Sequence, residues 1–194
     1  MRNTKRRFVL TIIGLVVVIA GFMKIFADRN QTSTAPQEKT IETLEATKSS
    51  NITPQRTLGK NERFVAPAKL YITVPEGMNY REEIAGDPAR STTVGFYIEN
   101  DSEETPYELY GVYQDKDFTE QGFEQAQQEM EQDSIQDTTV GDYDGVEGLV
   151  TGPKGRYLTL ILKNSKLISF STIPATEENK AITKQILSTV SFDE

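Results

Sequence analysis

Cysteine and histidine are both missing from the 194 residues. Without cysteine there is no disulfide, no thiolate catalysis, no thiolate-bound structural zinc and no lipid-modified cysteine after an export signal. Without histidine the usual general base, the Ser-His-Asp arrangement and histidine-liganded metals are all excluded. Stability must therefore come from a packed core, and enzymatic chemistry is confined to carboxylate pairs or to Ser with Lys as base.

Charge is also missing from Phe8 to Met23, and this apolar run follows Arg2, Lys5, Arg6 and Arg7. At about 1.5 Å per residue it covers about 24 Å as a helix, and extension through Lys24 to Ala27 reaches about 30 Å, the thickness of a hydrocarbon core. Basic residues hold their own end in the cytoplasm, so everything after the segment is expected on the extracytoplasmic side of a cell membrane. Ala20 and Ala27 are small residues at which a signal peptidase could cut, although Ile25 is bulky two positions before Ala27. The expectation is an uncleaved, single-pass anchor over residues 8–27, preceded by a cytoplasmic basic segment over residues 1–7.

The residues after Ala27 hold all 29 acidic residues and all but five of the 21 basic ones, a net charge of −13. Nucleic acid and anionic head groups repel such a domain, so no nucleic-acid partner is expected. Residues 28–61 are rich in Thr, Ser, Gln, Asn and Lys, with Ile41, Leu44, Ile52 and Leu58 as the main apolar residues. That composition reads as a flexible linker, with an end-to-end distance of about 30 to 35 Å if it behaves as a coil. A short helix over 37–48 would be marginal on its own.

Residues 62–194 are the size of one domain with its own core. Arg156 to Ile173 alternates in a way that predicts a hairpin around Asn164 and Ser165, apolar on both faces and therefore central. Val146 to Thr151, bracketed by glycines, supplies a strand that feeds it. Thr92–Glu99 and Tyr107–Gln114 read as two strands joined by a polar turn, and Lys69–Val74 with Met78–Glu83 as an opening pair around Pro75, Glu76 and Gly77. One helix is expected from Asp117 or Thr119 to about Gln132, with Phe123, Ala126 and Met130 inward. A second is expected over 176–189, with Ile182, Ile186 and Val190 inward. The fold class is α+β, an antiparallel sheet covered by helices, after a transmembrane helix and a disordered linker.

Several segments, LYITVPEGMNY at Leu70–Tyr80, GDYDGVEG at Gly141–Gly148, KNSK at Lys163–Lys166 and ILSTVSF at Ile186–Phe192, together with the element order, resemble the PsbP-like family of alpha/beta/alpha sandwiches. Asn164-Ser165 stands where that family often has Asn-Gly, and Met78 where Trp commonly follows the opening turn. The resemblance implies an adaptor or assembly role and carries no catalytic signature.

Three functional readings follow. The first is a non-enzymatic, membrane-tethered extracytoplasmic binding or assembly module that serves another envelope protein. The second is a small-ligand or calcium-binding envelope domain using the acidic turns Asp142 and Asp144, Asp115 and Asp117, or Asp101, Glu103 and Glu104, none of which has the spacing of a twelve-residue calcium loop. The third is a carboxylate-dependent cell-wall hydrolase. Gly152-Pro153-Lys154-Gly155 reads as a hairpin turn, since it lacks the spacing and hydroxyl of a phosphate loop. No catalytic residue, cofactor or metal ligand is assigned. Among Phe96, Tyr97, Tyr107, Tyr110 and Tyr113, core packing is expected for most, and Tyr107, Tyr113 and neighbouring Tyr110 are the candidates for a partner or ligand surface.

Overall fold

A computed structural model describes residues 54–87 and 91–193. The chain divides into Met1–Glu45 and Ala46–Glu194, and everything below concerns the second unit. The expected membrane segment, and the expected linker as far as residue 53, lie outside the described residues. Among the described residues no helix is long and apolar enough to cross a membrane.

Two antiparallel sheets carry the fold. The smaller has the order β1-β2-β10, with β1 at Glu62–Val65, β2 at Leu70–Thr73 and β10 at Ser191–Phe192. The larger has seven strands in the order β3-β4-β5-β9-β8-β7-β6. These are β3 (Asn79–Asp87), β4 (Ser91–Glu99), β5 (Glu108–Asp117), β6 (Gln136–Val140), β7 (Tyr143–Val150), β8 (Arg156–Lys163) and β9 (Lys166–Ile173).

The hairpin expected at Arg156–Ile173 is β8 and β9, in the middle of the large sheet, with Ile161 across from Ile168 and Leu162 across from Leu167. Its two-residue turn holds Asn164 and Ser165 at φ 48° and 63°, the left-handed pair that matches the twist of a tight hairpin. Leu158 and Leu160 face one side of the sheet and Ile161, Ile168 and Phe170 the other, which is why both faces of this pair are apolar. The pair expected at residues 92–99 and 107–114 is β4 and β5, paired from Thr93–Gln114 to Glu99–Glu108.

The expected opening pair is corrected. β2 and β3 do not pair with each other: β2 lies between β1 and β10 in the small sheet, and β3 forms the edge of the large one beside β4. The reason is burial. Leu70, Tyr71 and Ile72 are all buried, so β2 needs cover on both faces, whereas Arg81, Glu82 and Glu83 suit β3 to an edge. Pro75 to Gly77 then carries the chain from one sheet to the other, with Gly77 at φ 82°.

The first helix, α1, spans Glu120–Gln127, and its cap is Thr119, whose hydroxyl accepts from the Gly122 amide at 3.1 Å. It stops short of Gln132. Beyond it the Glu131 amide donates to the Leu149 carbonyl at 2.7 Å, and the Leu149 amide donates to the Ser134 hydroxyl at 2.7 Å. Bonds to β7 thus replace the next helical turn, and Met130 settles over Gly148, where a Cβ would lie 2.7 Å from its sulfur. The second helix, α2, spans Glu177–Leu187 and is capped by Thr176, which accepts from the Asn179 amide at 3.1 Å.

Two cores result. On one face of the large sheet, Val94, Phe96, Ile98, Leu109, Ile161, Ile168 and Phe170 pack against Leu70 and Ile72 of the small sheet and Ile186, Leu187 and Val190 at the end of α2. On the opposite face, Leu158, Leu160, Leu167 and Val150 pack against Met130, Phe118, Phe123 and Ala126. That second core covers β7, β8 and β9. The fold is α+β, predominantly antiparallel sheet with two helices.

Residues 54–61, inside the expected linker, have defined contacts with the domain. Arg56 donates to both carboxylate oxygens of Glu62 at 2.6 and 2.7 Å, and its guanidinium lies 4.1 Å from the centroid of the Tyr71 ring. The Tyr71 hydroxyl donates to Asp193 Oδ2 at 2.7 Å, so the segment entering the domain and the segment leaving it meet at one residue.

Candidate interaction face

The pleat sends alternate residues of β3, β4 and β5 to opposite faces. On the face away from α2, register places three rows across the strands: Arg81, Tyr97, Tyr110 and Ser171; Asn79, Glu99, Glu108 and Ile173; and Glu83, Gly95, Val112 and Ser169. None of the β3, β4 or β5 residues in these rows belongs to either apolar core. Among the described residues no helix lies over them, and the side chains of Arg81, Glu83 and Glu99 are 38, 41 and 31% exposed.

The centre of this half-face is a stack. The Tyr97 and Tyr110 rings lie 4.4 Å apart at 21°, and the Arg81 guanidinium lies 3.3 Å from the Tyr97 centroid, a cation held against the electron-rich face of the ring. Arg81 is fixed there by two carboxylates, Nε donating to Glu99 at 3.2 Å and Nη1 to Glu83 at 2.9 Å. Tyr97 is consequently only 3% exposed although no helix covers it among the described residues. Tyr110 owes its pose to Gly95, where a Cβ would stand 3.0 Å from its ring. The opposite face mirrors this arrangement, since Gly111 has no side chain because Phe96 lies across it, 2.1 Å from where a Cβ would be.

Burial shapes the electrostatics. It pushes the Tyr97 hydroxyl well above the usual tyrosine range, with Tyr110 adding to the shift, and it raises Tyr110 as well. Burial opposes the Arg81 charge, but Glu99 more than offsets it and the guanidinium is held firmly protonated. Burial also raises the Glu108 carboxyl, and the facing charge of Glu99 raises it further.

The three tyrosines expected at a surface are divided by the structure. Tyr107 and Tyr113 are corrected: they are 2 and 8% exposed and belong to the α2-side core. Odd-numbered residues of β5 face inward, and the Tyr107 hydroxyl shares a hydrogen bond with Thr183 of α2 at 3.0 Å, while burial pushes its pKa up to about 12. Tyr110, on the even-numbered face, is half-buried within the open stack. Arg81, Glu99 and Glu108 were not singled out from sequence. Their signal was alternation combined with register, and register depended on where the Asn100–Pro106 turn closes: the Asn100 side chain accepts from the Tyr107 amide at 3.0 Å and donates to the Thr105 carbonyl at 2.9 Å.

The acidic turns have local partners. Asp101 accepts from the Asn79 amide group at 2.9 and 3.0 Å, and Asp115 and Asp117 each lie 3.0 Å from Lys166. Asp142 sits in the β6–β7 turn after Gly141, at φ 59°. Among the described residues no three acidic side chains converge on a point where a metal ion would be held.

Fold and face together define an α+β domain built on an antiparallel sheet, covered on one face by the small sheet and α2 and on half of the other by the α1 segment, the remaining half having no helical cover among the described residues. No family model matches the chain, and no curated protein matches it. A crystal structure from Bacteroides thetaiotaomicron VPI-5482 is similar to it with a TM-score of 0.40 and 12% identity, covering 69% of this chain and 48% of that one. The chain thus spans about half the length of that protein.

Proposed function

We propose that this protein is a membrane-tethered, extracytoplasmic binding or assembly module that uses its open half-face to hold another envelope protein. The tether is residues 8–27, with Arg2, Lys5, Arg6 and Arg7 keeping the N-terminus in the cytoplasm. The domain is a PsbP-like alpha/beta/alpha sandwich, a reading supported by the strand-pair, helix, meander, helix order and by the two cores on opposite faces of one sheet.

The observation that carries the proposal is the half-face itself. Aromatic rings, an arginine and carboxylates sit on rigid strands without helical cover among the described residues, and tyrosine and arginine are the residue types over-represented where partners bind most tightly. A pull-down from crosslinked membranes tests it. The wild-type chain should recover a reproducible envelope protein that the Tyr110→Ala chain loses, and recovery of none would contradict the proposal. The placement is tested separately by protease added to protoplasts, which should digest the domain; a protected, soluble full-length chain would contradict it.

A further inference from the structure

Glu99 and Glu108 are register partners on the open half-face, so two carboxylates face each other directly across β4 and β5. Like charges in that position cost stability when both are ionised. Only one of them is answered within the domain. Glu99 receives Arg81 at 3.2 Å, whereas the Glu108 carboxylate has no hydrogen bond and no ion pair among the described residues and senses Arg81 and Lys154 only as longer-range charges.

Arg81 shows what this surface accepts, a planar guanidinium against a tyrosine ring with a carboxylate at its edge. The adjoining position carries the same two components, the Tyr110 ring and the Glu108 carboxylate, two residues apart on one face of β5. Nearby, the 100–106 turn adds Asp101, Glu103 and Glu104 to the negative field. Such a field speeds encounter with a positively charged partner and disfavours an acidic one.

We propose that the open half-face binds an arginine-bearing segment of its partner protein, with one guanidinium paired to Glu108 beside the Tyr110 ring. The partner's cation takes the place that Arg81 takes for Glu99, and the facing carboxylates cease to repel. This inference rests on the binding-module reading and adds to it the chemistry of the partner.

The test is fluorescence anisotropy with a labelled hexa-arginine peptide and the full chain in non-ionic detergent. Binding should saturate, weaken as salt is added, and exceed that of a hexa-glutamate peptide. Glu108→Gln should reduce affinity about fivefold while leaving the melting temperature unchanged or higher, because it removes a repulsion. Glu124→Gln, on α1, should change nothing. Absent binding, equal losses in the two variants, or a lower melting temperature for Glu108→Gln would overturn the inference. If the peptide fails while Tyr110→Ala still abolishes partner recovery from membranes, the arginine partner falls and the binding module stands; if Tyr110→Ala has no effect there either, both fall.

Discussion

The face of the large sheet that looks away from α2 has two halves that solve different problems. Over β7, β8 and β9 it presents Leu158, Leu160 and Leu167, and the segment around α1 closes over them with Phe123 and Met130. Over β3, β4 and β5 it presents Tyr97, Tyr110, Arg81 and three glutamates, and the strands cover themselves with a cation and two rings. Aliphatic side chains have no means of meeting water, so they need a second layer. Tyrosine and arginine have an apolar body and a polar end, so they tolerate being left open. The difference explains how one sheet is both a scaffold and an accessible surface.

The largest expected effect lies on the closed side of β4. Phe96 is fully buried and meets Phe170 edge-on at 6.1 Å, so Phe96→Ala should cost about 3 to 5 kcal/mol in urea unfolding. The two glycines then set one face against the other. Gly111→Ala drives a methyl into the confined Phe96 ring and should cost about 3 kcal/mol, whereas Gly95→Ala meets only the half-exposed Tyr110 ring and should cost under about 1 kcal/mol. Equal losses would break the distinction between closed and open faces.

The two halves of the outer face can be compared by truncation. Met130→Ala should cost about 2 to 4 kcal/mol, since its side chain is buried over Gly148. Tyr110→Ala should cost about 1 to 2 kcal/mol, the stacking contribution plus partial burial. The smallest effect is the most pointed. Glu108→Gln should stabilise by a few tenths of a kcal/mol at neutral pH, and the gain should vanish in acid. The folded pKa of Glu108 lies above its unfolded value. Its contribution is therefore fully present below the unfolded pKa and lost as pH rises through the folded one, a loss that glutamine does not suffer. Melting curves of both chains from acid to neutral pH give the comparison.

Much of this is legible in the sequence. The central hairpin is, because Leu158 to Leu162 and Leu167 to Ile173 carry a two-sided alternation and Asn164 supplies the turn. The existence of both helices is, through apolar spacing and a start near Thr176 for the second, but the choice between Asp117 and Thr119 as the first cap and the early end of α1 at Gln127 are not. β6 is not, since Gln136, Asp137, Thr138 and Thr139 have no alternation and are held as a strand only by β7. β10 has two residues and exists only because β2 needs a second neighbour. Of the surface, Tyr110 was in view but its setting was not. Sequence states that alternate residues share a face, but which face is covered depends on where α1 and α2 land, and that inverted the expectation for Tyr107 and Tyr113.

The most direct measurement places a photo-reactive phenylalanine derivative at position 110, and in a second chain at position 124 on α1, and irradiates intact cells expressing each full-length protein. The account predicts one discrete crosslinked adduct from position 110 and none from position 124. Adducts of equal yield from both positions, or none from 110, would contradict the claim that the open half-face is where this protein meets its partner.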